Sequence, residues 1–318
     1  MEINLRRVQE ILQNTNNIVI TTHIHPDGDA LGSLLALNSY LTSINKKVAM
    51  VLDDEVPALY KFLPGVSNIV RPHDAISRPD LLIVLDASDA ERIGKVYGSV
   101  KAPILNIDHH ISNTKYADYL YLDDGAAATG EILCDLFKVM NATISKDMAI
   151  CLYTAIATDC GFFRYASTST KTMRYAAELM EAGAKPHIIS EILETKPLAS
   201  IVALTKVLDT LELHQDGKIA MITVSPEIIK ENEELTEGLI NYPRNIEGVE
   251  LAVMLKAVAP DTTRISFRSR GVDVSKLATE FGGGGHIRAS GCTITGSLTS
   301  AKEKVLQAAS RLLSGDKL

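Results

Sequence analysis

Cysteine is scarce in this 318-residue chain. Cys134, Cys151, Cys160 and Cys292 are scattered and form no CxxC pair. That spacing excludes a disulfide framework or a zinc knuckle and leaves reduced, partly buried thiols of a cytoplasmic protein as the expectation. Long hydrophobic runs are missing as well. None approaches the roughly 20 residues of a membrane span, so no membrane partner is expected. The opening stretch, "MEINLRRVQEILQNTNN", is polar and helix-like, without the apolar segment and small-residue cleavage site of a secretory signal. Positive charge is in deficit, with 32 Lys and Arg against 39 Asp and Glu, a net charge of −7. This balance argues against tracking along duplex DNA or another long polyanion, but not against a small anionic ligand met by a few cations. No Gly/Ser-rich linker, internal repeat or low-complexity tract appears.

What the chain does have is apolar content, 46% of residues, enough for a sizeable core and about two domains. The first half alternates strand-like and helix-like segments. "NIVITT", "KVAMVL", "DLLIVLD" and "PILNID" read as strands. "ALGSLLALNSYLTS", "ATGEILCDLFKVM" and "KDMAICLYTAIATD" read as helices. That alternation predicts an α/β domain with a mainly parallel sheet flanked by helices. Beyond a helical stretch near residues 185–215, "KIAMITV", "VELAVMLKAV" and "TRISFRSR" read as strands, the last two joined by a turn at "APDTT". A helix ("DVSKLATEF"), a glycine run ("GGGGH"), the strand-like "SGCTIT" and a closing helix complete a smaller α+β domain. The expected division is 1–187, a helical linker at 188–214, and 215–318.

Side-chain chemistry gathers where the strands of the first domain end. "THIHPDGDALGS" places His23, His25, Asp27 and Asp29 after the first strand. "DLLIVLDASD" ends in Asp86, "PILNIDHH" ends in Asp108, His109 and His110, and a later helix ends in Asp159 at "ATDCGFF". Open α/β sheets bind ligands at the carboxyl ends of their strands. Taken singly, an aspartate there is ordinarily a helix N-cap or a turn former. Four such ends together imply a dense cluster whose like charges need shifted pKa values or cations. Carboxylate and imidazole ligands without thiolate favour a hard-to-borderline divalent ion, and manganese fits well. A pair of ions about 3.5–4 Å apart needs a bridging carboxylate, and Asp86 is the natural candidate.

"HIHPDGDALGS", "VLDASD", "NIDHHISN" and "ATDCGFF", in that order, resemble the four motifs of the DHH phosphoesterase superfamily. "FGGGGHIRASG" resembles the signature loop of its DHHA1 C-terminal domain. The resemblance spans nearly the whole chain and is strongest to the short bacterial nanoRNase and pAp-phosphatase members. It implies an N-terminal DHH domain that binds metal and a DHHA1 domain that binds substrate. Two Mn²⁺ ions per chain are implied, with Mg²⁺ or another divalent ion as a substitute. His23, Asp27 and Asp86 would hold one ion; Asp29, Asp86, His109 and Asp159 would hold the other. His110 would act on the phosphoryl group or the leaving oxygen, and Asp108 would orient a neighbouring histidine. Arg268, His286 and the backbone of Gly283, Gly284 and Gly285 would grip phosphate.

His25 stands where the family usually has asparagine and is read as supporting the ligands from behind. Cys160 stands where a hydroxyl residue is common and implies a modest change in polarity near the metals. The implied activity is two-metal activation of water to hydrolyse very short RNA, and pAp to AMP and phosphate, with room for a homodimer. The alternatives are a phosphodiesterase for linear or cyclic dinucleotides such as pApA, a RecJ-like single-strand exonuclease, and a catalytically silent nucleotide-binding module. Intact ligand positions weigh against the last, and the acidic charge and missing extra domain against the exonuclease.

Overall fold

A computed structural model describes residues 1–72, 78–231 and 238–314. The chain divides into two compact units, Met1–Thr195 and Lys196–Leu318. The first holds α1 (Leu5–Asn14), β1 (Asn17–Thr21), α2 (Gly28–Ser43), β2 (Lys47–Met50), β3 (Leu81–Leu85), α3 (Val96–Ser99), β4 (Ile104–Asp108), β5 (Tyr119–Leu122), α4 (Thr129–Val139), α5 (Lys146–Asp159), α6 (Thr170–Glu181) and α7 (Pro186–Glu194). Its strands form one sheet in the order β2-β1-β3-β4-β5, parallel throughout.

The central strands β1, β3 and β4 are buried at nearly every position because both faces of the sheet are covered there. Ile18, Ile20, Leu81, Ile83, Leu85, Leu105 and Ile107 enter a core shared with α1, α2, α4 and α5. The alternate residues Val19, Leu82 and Val84 pack on the other face with Val96 and Val100. All carboxyl ends of a parallel sheet lie along one edge, so the loops after β1, β3 and β4 open on the same side.

Two glycines set how closely α2 lies against α5. A Cβ on Gly32 would fall 2.3 Å from the Cys151 carbonyl oxygen, and one on Gly28 would fall 2.3 Å from Thr158 Oγ1. These residues are one turn apart, on one face of α2. The close approach brings the start of α2, with Asp29, next to the end of α5, with Asp159.

The second unit holds α8 (Leu198–Leu208), β6 (Glu212–His214), β7 (Ile219–Val224), α9 (Pro226–Glu231), α10 (Asn241–Arg244), β8 (Leu251–Ala259), β9 (Thr262–Ser269), α11 (Val274–Glu280), β10 (Gly284–His286), β11 (Ala289–Thr295) and α12 (Leu298–Ser314). Its mixed sheet runs β10-β11-β9-β8-β7-β6, with only β7 and β8 parallel. Leu251, Val253 and Leu255 of β8 pack into one core, with residues of α11 and α12. Ala252 and Met254 pack into the other, with residues of α8.

The sequence reading needs correction at several elements. β5, β6, α3, α6, α9 and α10 are additional to it. The strand read through Leu52 ends as β2 at Met50, with Val51 making an isolated bridge to Val70. The second half of the glycine run, read as a loop, enters the short strand β10 paired with β11.

Candidate metal centre

Each histidine of the cluster is fixed through one ring nitrogen and presents the other. His23 Nδ1 bonds the carbonyl of Ile24 at 2.8 Å, and His109 Nδ1 that of Ala126 at 3.2 Å. Both Nε2 atoms therefore face the carboxylates. His23 Nε2 lies 3.5 Å from Asp86 Oδ2 and 3.8 Å from Asp27 Oδ1. His109 Nε2 lies 3.5 Å from Asp86 Oδ1, 3.5 Å from Asp159 Oδ2 and 3.9 Å from Asp29 Oδ2. The two oxygens of Asp86 thus face two different sets of donors.

Among the described residues, the ligand-capable groupings are His23–Asp27–Asp86, Asp29–His109–Asp159 and Asp86–His109–His110. The structure brings together all six side chains expected to hold metal. It also brings in His110, which was expected to act without holding metal.

The carboxylates are held by local structure. Asp27 caps α2 by accepting from the Ala30 amide, so its capping role and its place in the cluster coexist. Asp29 caps a different helix. No side chain of its own segment caps α4; instead Asp29 accepts from the Thr129 amide at 2.6 Å and the Gly130 amide at 2.9 Å, and from Ser33 Oγ at 3.0 Å. The helix N-terminus favours its negative charge. Asp86 is buried in the left-handed region (φ 57°) at the end of β3, and its Oδ1 accepts from Thr129 Oγ1 at 3.2 Å. A backbone conformation of this kind costs about 1 kcal/mol or more and clusters at functional sites.

The electrostatics follow from crowding. Burial, with Asp86 and Asp159 nearby, pushes the Asp29 carboxyl well above the usual range. Burial and the same kind of repulsion push Asp159 up to about 6, against the pull of His109. Burial opposes charge on His23 and His109, but the facing carboxylates outweigh it and raise both to about 10. Burial would raise Asp86 too; hydrogen bonds from His109 and His23 outweigh it and hold it low. Among the described residues, the imidazoles of His23, His109 and His110 face these carboxylates. A divalent cation fits the donor set on that ground: carboxylate oxygens and the Nε2 atoms of His23 and His109 converge, a mix of hard and borderline ligands.

Asp108 and His110 form a second arrangement. Asp108 is fully buried, and its Oδ1 accepts from His110 Nδ1 at 2.7 Å. Its Oδ2 accepts from Asn113 Nδ2 at 2.6 Å. Among the described residues, no hydrogen bond engages His110 Nε2. Thr129, Ser33 and Asn113 escaped the sequence reading. The available signal was a hydroxyl residue followed by glycine at the start of a helix, "ATGE".

His25 is a correction. It is 88% exposed, and its Nδ1 lies 3.1 Å from Asp54 Oδ2, whose carboxylate also accepts its backbone N–H. It supports no cluster side chain. Cys160 Sγ is likewise turned into its own loop, where it accepts from the Phe163 amide at 3.2 Å.

In the second unit, Arg268 pairs in register with Ala252 on one side and Ala289 on the other, and Ala289 pairs with His286. Residues opposite one another across strands share a face. Arg268 and His286 therefore project from one face of the sheet, two strands apart. Gly283 has another role than expected: its amide donates to the Ala278 carbonyl at 2.8 Å, and a Cβ there would fall 2.2 Å from the Gly291 carbonyl oxygen. It closes the end of α11 against β11, and its amide is not free for an anion. Gly284 and Gly285 lie exposed in β10.

Histidines and aspartates thus converge beyond the carboxyl ends of a parallel sheet, where open α/β folds bind ligands. The chain belongs to the DHH family and is a hydrolase of ester bonds. The family's N-terminal domain matches residues 17–156, and the DHHA1 domain matches residues 217–315. The chain is 32% identical, over 96% of its length and 93% of the relative's, to a bifunctional oligoribonuclease and PAP phosphatase NrnA of Thermus thermophilus. It is 28% identical to the Bacillus subtilis protein of the same description, over 88% and 90% of the two chains. The crystal structure of an exopolyphosphatase-related protein from Bacteroides fragilis superposes with a TM-score of 0.89 at 27% identity, covering 96% of this chain and 95% of that one.

Proposed function

We propose that the chain is a manganese-dependent phosphoesterase that hydrolyses very short RNA and removes the 3′-phosphate of pAp. The observation that carries this reading is Asp86, whose two carboxylate oxygens face separate histidines 3.5 Å away. That is the arrangement a bridging ligand needs. His23, Asp27 and Asp86 would hold one ion; Asp29, Asp86, His109 and Asp159 would hold the other. The descriptions of the Thermus and Bacillus relatives support the substrate class.

Divalent ions held there supply Lewis acidity that activates water near neutral pH and stabilises charge on phosphoryl oxygens. The protein's own groups do the rest. Ile24 and Ala126 carbonyls fix the tautomers of His23 and His109, so that Nε2 is the ligating atom. Asp108 orients His110 and leaves its Nε2 to donate a hydrogen bond to the phosphoryl group or a proton to the leaving oxygen. Arg268 and His286 of the second unit bind substrate phosphate through charge-assisted bonds.

Turnover with Mn²⁺ on pAp, on pApA and on RNA of increasing length tests the proposal. The expected result is hydrolysis of pAp and of the shortest RNAs, falling steeply beyond a few nucleotides. Equal or faster cleavage of long single strands would overturn it.

A further inference from the structure

Asp159 ends α5, and the chain then runs through Cys160 into a loop where Gly161, Phe162 and Phe163 all have positive φ, at 61°, 54° and 64°. Three consecutive left-handed residues, two of them bulky, are a costly arrangement that packing must repay. Phe162 and Phe163 do so by packing inward against the main core, and the Phe163 ring meets Tyr153 at 5.9 Å. Tyr165 turns outward and is 46% exposed.

Its ring is nonetheless held. A Cβ on Gly161 would lie 2.5, 2.6 and 2.7 Å from Tyr165 Cζ, Cε1 and Cε2. Near-equal distances to three ring atoms place that point over the face of the ring. One face of the phenol therefore lies flat on Gly161, and glycine is required there for the stacking as well as for φ. Backbone bonds fix the loop: the amides of Arg164 and Tyr165 both donate to the Cys160 carbonyl, and Arg164 Nε donates to the Gly161 carbonyl at 2.7 Å. Gly161 is two residues, at most about 7 Å of chain, beyond Asp159.

We propose that the outer face of Tyr165 is the stacking platform for a nucleobase of the substrate, the nucleoside whose phosphate reaches the Asp159 side of the cluster. The inference deepens the proposed function and rests on its nucleotide substrate. Among exposed side chains this one has the attributes a base-binding surface needs. It is flat and aromatic, fixed from behind, and within a few residues of a metal-binding carboxylate. Stacking on a tyrosine tolerates any base, as an enzyme of short RNA requires, because every base has a π-face.

The test compares AMP with ribose 5-phosphate, which keeps the phosphate and sugar and lacks the base. Binding of each is measured by calorimetry on the full, Mn²⁺-loaded chain for wild type, Tyr165→Ala and Tyr165→Phe, with thermal melting and metal content as controls. Tyr165→Ala is expected to weaken AMP about tenfold to a hundredfold and to leave ribose 5-phosphate unchanged. Tyr165→Phe is expected to retain AMP binding, because the ring does the work. No turnover of any phosphoester by wild type would defeat the proposed function, while the binding contrast would still decide the role of Tyr165. Equal loss for both ligands, no loss for AMP, or no AMP binding by wild type would overturn the platform.

Discussion

Asp108 is a buried carboxylate bonded to His110, the side chain proposed to act on the phosphoryl group. Its Oδ1 accepts from His110 Nδ1 and also from the His109 amide at 2.9 Å, so one buried carboxylate aims both histidines of the motif. Asp108→Asn keeps the shape and removes the charge. The amide can still present an oxygen to His110, but only while its nitrogen replaces the oxygen that now accepts from Asn113 Nδ2, leaving two donors face to face. Either arrangement disturbs the His110 tautomer. The expected outcome is a fall in kcat on the order of a hundredfold or more, the scale of a lost acid–base partner, with metal content unchanged. Steady-state kinetics and metal analysis on one preparation check it. A mutant that lost metal and recovered full turnover when metal was added back would mean that Asp108 serves the ligands rather than His110.

At the scale of elements, the site depends on three helix ends meeting at the edge of a sheet: the starts of α2 and α4 and the end of α5. Gly32 makes that meeting close. Gly32→Ala puts a methyl group 2.3 Å from the Cys151 carbonyl, a backbone atom that cannot swing aside. Overpacking of this kind costs about 1–3 kcal/mol, and part of it is relieved by moving α2 off α5. Asp29 and Asp159 would then separate. The expected result is a lower melting temperature together with weaker metal binding, read by thermal unfolding and a metal titration. Lost stability with unchanged metal affinity would show that the helices shift without carrying Asp29.

The same elements explain what could be read from the sequence. Four of the five strands of the parallel sheet, β1 to β4, were visible because each carries a run of apolar residues, whereas the short edge strand β5 was not. The cluster was visible because aspartates and histidines follow those runs. The Asp29 cap on α4 was not, since it joins residues 100 apart and leaves no local pattern. Nor was the outward turn of His25, which depends on Asp54 of another loop. β10 was hidden because glycine carries no strand propensity, and only pairing with β11 makes those residues a strand.

For the whole molecule, the proposed roles divide between the two units. All six residues proposed to hold metal lie in Met1–Thr195, whereas Arg268 and His286 lie in Lys196–Leu318. Lesions in the two units should therefore fail differently. His109→Ala removes a ring whose Nε2 faces three carboxylates, and leaves Asp29, Asp86 and Asp159 to repel one another. It should lose metal and nearly all turnover. Arg268→Ala leaves that cluster intact. It should keep its metal and lose a charged contact to phosphate, worth roughly 1.5–3 kcal/mol, or about tenfold to a hundredfold in kcat/KM. Arg268 is flanked in register by Ala252 and Ala289, so shortening it disturbs small neighbours and the sheet should persist. Arg268→Lys tests the geometry: an ammonium keeps the charge but not the planar fork, so it should recover part of the loss and not all of it. Metal content, melting temperature and kinetics on pAp, measured on the same preparations, separate the cases. If Arg268→Ala lost metal, or kept both metal and full kcat/KM, the second unit would not be the part that grips phosphate.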